Sequence, residues 1–134
     1  MSSLSQAPSK AQGNVDLLNQ ATKIAISASA PRPGGRGPQV NSSTINNLIA
    51  FLQSRRDVNV LLLLIMRQMG RGEIDNNTGK LLLESLKNLD VDRALTLLGY
   101  VKWAFETLTA RNITVNRNLL GKDPSFMDLV KAIS

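Results

Sequence analysis

Val58-Asn59-Val60-Leu61-Leu62-Leu63-Leu64-Ile65-Met66 is the most continuous apolar run in the chain, and whether it forms a strand or a helix decides the fold. A short buried strand has the same composition, but a strand must pair. No second strand-like run bounded by turn residues exists to pair with it. The run therefore reads as a helix, with Gly70 as its C-terminal stop. Leu61 to Ile65 are apolar on every side, so this helix is expected to be the central, buried one. It falls well short of the roughly 18 to 20 apolar residues that a bilayer span requires.

The flanking sequence repeats the helical period. Upstream, Ile45, Leu48, Ile49 and Leu52 share one face of a helix that Ser42 or Ser43 can cap. At Arg55-Arg56-Asp57 either that helix continues or Asp57 caps a new one. Downstream, Gly70 to Gly79 reads as a polar loop and Lys80 to Leu89 as a helix with Leu82, Leu86 and Leu89 inward. Asp90 then caps a long helix from Val91 to about Arg111. Tyr100, Trp103 and Phe105 could stack nucleobases, but they lie in this amphipathic helix and are read as core. Asp123 as N-cap and Pro124 at the first helical position open the last helix.

Nearer the N-terminus, Asn14 can cap a helix reaching about Ala30, which Pro31 and Pro33 stop. Its apolar residues, Val15, Leu17, Leu18, Ala21, Ile24, Ala25 and Ala28, recur by threes and fours, and its other face is small and polar. Small side chains permit either close helix–helix contact or close approach to phosphates. Residues 1–13 have little to bury and are expected to be mobile without a partner. The expected fold is all-α, a helical bundle with an extended basic N-terminal helical arm. Residues 1–41 would comprise the mobile segment, the arm and a Pro/Gly/Arg loop, and residues 42–134 a Leu-rich bundle.

Composition narrows the function. The 134 residues include no Cys and no His, which removes zinc fingers, thiol catalysis and every triad that uses imidazole as its base. Glu73 to Glu84 places oxygen-bearing residues at several positions of a calcium loop, but Thr78 stands where the sharp turn needs Gly and Leu81 where a ligand is needed. Gly79-Lys80 lacks the preceding Gly and following Ser or Thr of a phosphate-binding loop. No carboxylate pair is spaced for acid–base work, so neither enzymatic activity nor a cofactor, metal or small-molecule substrate is expected.

The charge is more informative. Lys10, Lys23, Arg32, Arg36, Arg55, Arg56, Arg67 and Arg71 face only Asp16 and Asp57 in residues 1–72, so the whole formal excess of +6 lies there. A one-sided excess of this kind points to a polyanion, and these eight cations are the candidate nucleic-acid-binding residues. Arg32 and Arg36 sit among Gly and Pro, and Arg71 between two glycines, so their guanidinium groups have room to reach phosphates without reading bases.

This length, an all-helical pattern, a Ser/Gln/Ala-rich start, and a basic small-residue helix joined by Pro31–Pro38 to a Leu-rich body together resemble the major capsid proteins of filamentous and rod-shaped archaeal viruses. The resemblance implies a helix-rich protomer whose N-terminal arm wraps linear double-stranded DNA while its C-terminal bundle packs on copies of itself or on a paralogous subunit. It would place Lys10, Lys23, Arg32 and Arg36, then Arg55 and Arg56, on the DNA, and the protein in the virion. The chain departs from that pattern in having no aromatic residue before Phe51. The alternative is a small helical subunit of an RNA-guided CRISPR effector complex, cytoplasmic and holding nucleic-acid backbone. A helix-turn-helix regulator over residues 44–70 would need a polar recognition helix, and Val58 to Ile65 is too apolar to face a groove.

Overall fold

A computed structural model describes residues 10–35 and 37–133, with side chains from residue 14. The expected all-α bundle is what forms. Among the described residues six helices run in order: α1 Lys10–Ser29, α2 Ser42–Arg55, α3 Val58–Gly70, α4 Asn76–Leu86, α5 Val91–Thr109 and α6 Phe126–Ile133, with a 3-10 turn over Arg117–Leu119 before the last.

The first helix differs from the extended arm expected for it. α1 lies lengthwise on α5, with α4 and α6 against its other sides, and Leu17, Ala21, Ile24, Ala25 and Ala28 are buried. The alanines decide this. Side chains of one carbon bring the α1 and α5 backbones close enough for Ile24 to line one small apolar void with Leu48, Leu82 and Leu98, and that void is only about 10 Å³, no more than the space of a single water. The small polar side of α1 also faces protein. Ser27 Oγ lies 2.7 Å from Thr78 Oγ1 of α4 and accepts from Asn77 Nδ2 at 2.7 Å, and Asn19 Oδ1 accepts from the Phe126 amide at 2.8 Å. The helix also begins at Lys10, ahead of the expected Asn14.

α3, expected at the centre, is instead peripheral. Leu61 and Ile65 are fully buried, yet Leu63 is 62% and Met66 50% exposed. An apolar run marks a helix that wants cover on every side, and here α2 and α4 cover only one. Asp57 does separate α2 from α3: its carboxylate accepts from the Val60 amide at 3.2 Å, while Arg56 turns the chain at φ 51°, a left-handed conformation uncommon for residues with a Cβ. Helix ends moved where two caps competed. α2 is preceded by Asn41 and begins at Ser42. At the end of α3 the left-handed glycine is Gly72 (φ 78°), with Gly70 still helical. α4 starts at Asn76 because the Asp75 carboxylate accepts from the Thr78 amide at 3.1 Å.

Asp90 caps α5 as expected, accepting from the Arg93 amide at 2.8 Å. Asp123 does not cap α6. That role falls to Ser125, whose hydroxyl accepts from the Asp128 amide at 3.2 Å while the Asp128 carboxylate accepts from the Ser125 amide at 2.8 Å, a reciprocal capping box. Hydrogen bonding to the carboxylate, from the Ser125 amide first and from the Ser125 side chain second, holds the Asp128 carboxyl below its ordinary value. A carboxylate lowered on folding stabilises the fold fully above its unfolded pKa, and that contribution drains away as pH falls through the lower folded value. Protection of the Ser125 and Asp128 amides from hydrogen exchange should therefore drop below about pH 4. Asp128→Asn should remove that pH dependence.

Candidate nucleic-acid interface

Of the eight expected cations, those whose side chains are described, Lys23, Arg32, Arg55, Arg56, Arg67 and Arg71, are distributed over several corners of the bundle. Arg32 and Arg36 belong to the α1–α2 connection, where Pro31 and Pro38 pair across a short hairpin. Its closing bonds run from the Arg32 amide to the Gly37 carbonyl at 3.1 Å and from the Gln39 amide to the Ala30 carbonyl at 2.9 Å. Arg32 is exposed, and its guanidinium donates to the Pro38 carbonyl at 3.4 Å. Arg36 lies outside the described residues, as does the Lys10 side chain.

Arg55 and Arg56 mark the α2–α3 corner, with Arg55 over the Phe51 ring at 5.9 Å. Arg67 and Arg71 stand toward the other end of α3, separated from that corner by the length of a helix of 13 residues, roughly 20 Å. Among the described residues no single concave patch gathers these cations.

Several of these cations are already engaged. Lys23 Nζ lies 2.7 Å from an Asp123 carboxylate oxygen, Arg56 3.1 Å from Asp92, and Arg71 4.0 Å from Glu73. Each pair is solvent-exposed on at least one side, so each contributes about 0 to 1 kcal/mol and yields readily to a competing anion. Arg32, Arg55 and Arg67 have no carboxylate within ion-pair distance among the described residues.

One cation that the sequence reading missed joins Lys23. The strap between the 3-10 turn and α6 crosses α1, and Lys122, Asp123 and Pro124 line a cleft of about 260 Å³ with Lys23, Ser27 and Asn77. Two ammonium groups, one hydroxyl and one amide at a cleft mouth suit a phosphate oxygen, with the exposed Asp123 carboxylate occupying Lys23 until an anion displaces it. Nothing local in the sequence joins Lys122 to Lys23, because their proximity exists only once α6 docks on α1. Arg117, in the 3-10 turn itself, donates to Ser29 Oγ at 3.3 Å.

A different surface lies between α1, α5 and α6. Leu18, Tyr100, Trp103, Phe126, Val130 and Ile133 are among the walls of an apolar groove of about 390 Å³. Phe105 is buried and Tyr100 half-buried, as expected for core aromatics, but Trp103 is 65% exposed at the groove's rim. The helix that carries it is buried against α1 and α2 through other positions, and Trp103 stands at the α1 edge, lining the groove with Leu18, Ala21 and Thr22 but not covered by them.

Among the described residues no cluster of acidic side chains could hold a metal ion, and no helix is long and apolar enough to cross a membrane. Neither a scan of protein-family models nor a search of curated proteins returns a match to the chain.

Proposed function

We propose that this is a structural protein that binds the phosphate backbone of linear double-stranded DNA without regard to sequence. Copies of it, or of it and a paralogous subunit, then assemble side by side into a helical filament. The observation that carries this reading is the charge distribution: the entire +6 excess lies in residues 1–72, with Arg32, Arg55 and Arg67 exposed. Scattered cations on a convex body suit a coating protein, where each copy makes a few phosphate contacts and many copies share one strand.

Because α1 is packed, the cations meet DNA from the surface of a folded body. An arm that wrapped DNA would have to leave α5 and expose Ala21, Ile24, Ala25 and Ala28. The same packing favours one second reading, a compact helical subunit of an RNA-guided effector complex that holds nucleic-acid backbone on its surface.

Negative-stain electron microscopy of the protein with and without linear duplex DNA at low salt separates the two. DNA-dependent filaments of uniform width support the coating protein. Discrete particles, or binding to RNA alone, support the subunit. Arg32→Ala with Arg36→Ala should weaken duplex binding about tenfold at every sequence tried, with helical content unchanged. A loss confined to particular sequences would exclude backbone binding.

A further inference from the structure

Among the described residues two uncovered apolar surfaces carry neighbouring large side chains, and they differ in shape. One is convex: Leu63 and Met66 project from α3 on the same side as Asn59, Arg67 and Gly70, the spacing of one helix face. The other is the concave groove between α1, α5 and α6, whose rim carries Trp103 and whose α6 wall adds Val130 and Ile133, each more than a third exposed. Contiguous exposed apolar surface in a small domain marks an interface.

We propose that the occupant of the groove is the α3 ridge of a second copy of this chain, so that copies join head to tail. The inference rests on the self-assembly proposed above and assigns its contact. Shape and charge both select this pairing. Two grooves cannot fill one another. Two α3 faces would bring Arg67 against its own copy, with Arg71 and the Arg55–Arg56 corner at the ends of the same helix, and like charges across an interface disfavour it.

Ridge in groove meets neither objection. A dry apolar cavity of about 150 Å³ holds a benzene ring, so a groove of about 390 Å³ accepts the Leu63 and Met66 side chains together. Its aromatic walls suit a thioether, which packs well at ring edges. Glu106 lies one turn beyond Trp103 on α5, exposed and without an ion-pair partner among the described residues, so it offers Arg67 an opposite charge. Lys102 and Glu106 share one side of α5, but Glu106 lies about 60° round the helix from Trp103 and Lys102 about 100°, so Glu106 is the nearer charge, and Lys131 lies about 100° round α6 from Val130. A contact between two unlike faces does not use itself up, and it propagates into a ring or an open helical array.

Trp103 is the only tryptophan in the chain, so its fluorescence reports on the groove directly. In wild-type full-length protein, sedimentation velocity over a concentration series should show association, accompanied by a blue shift of the emission. Met66→Glu and Val130→Glu alter solvent-facing positions on the two separate surfaces. Each alone should weaken association by about tenfold or more and remove the shift. Mixed together they should form a one-to-one heterodimer and nothing larger, because one intact ridge meets one intact groove. Arg67→Glu and Glu106→Arg should each weaken association, and the doubly changed chain should recover it.

If wild type associates but both single variants associate equally well, the assignment of this contact is wrong and self-assembly stands. If wild type stays monomeric both with and without duplex DNA, the self-assembly reading itself fails. Homodimers of either variant that match the mixture would overturn the head-to-tail arrangement.

Discussion

Ile24→Asp is expected to abolish cooperative unfolding of the whole bundle under conditions where the wild type is folded. Ile24 is 1% exposed, and its side chain meets Leu48 of α2, Leu82 of α4 and Leu98 of α5 around a near-empty void. An unpaired carboxylate there finds no counter-charge, the Thr78 hydroxyl that lines the void is already bonded to Ser27, and burying such a charge costs several kcal/mol. Domains of this size have about 5 to 15 kcal/mol of stability in all. Val15→Asp on the same helix, where the side chain is 51% exposed, should change stability by no more than about 0.5 kcal/mol. Circular dichroism melts of the two variants therefore test whether α1 belongs to the core. If α1 were an independent arm, Ile24→Asp would remove a small part of the helical signal and leave the main transition where it was.

The contrast between those two positions shows what could be read from the chain alone. Apolar spacing located every long helix, because a period of three to four is a local property. Asp90 was legible as a cap for the same reason, since its carboxylate reaches an amide three residues on. Order among the helices was not local. Leu61 to Ile65 look more deserving of the centre than the alanines of α1, but close approach is decided by the smallest side chains, and those gave α1 the longest contact with α5.

The candidate interface divides in the same way. Which residues carry charge is read directly, and Arg32 and Arg71 are exposed as their surroundings implied. Which of them are engaged depends on partners far along the chain. Arg56 met Asp92 from the start of α5, and Lys23 met Asp123 from the strap, where Asp123 had been expected to cap a helix. Trp103 departed from the core reading because amphipathicity specifies a buried side of a helix but not how wide the covering neighbours are.

Affinity for duplex DNA is expected to fall roughly a thousandfold between 50 and 200 mM salt. The excess of +6 sets the scale. If about six phosphates are neutralised per binding unit, the log–log slope of affinity against salt is near −5. The slope also identifies which cations take part, because removing one cation that pairs with a phosphate should flatten it by about one. Arg32→Ala, which removes an exposed guanidinium that no carboxylate engages among the described residues, should show that full reduction. Arg56→Ala should show less, since Asp92 at 3.1 Å already screens the charge and must be displaced before a phosphate can bind. The same titration on single-stranded nucleic acid should be shallower, near −4 for the same number of phosphates. A duplex slope flatter than about −2 would mean that the cations of residues 1–72 do not lie on the DNA, and the backbone-coating reading would fall with it.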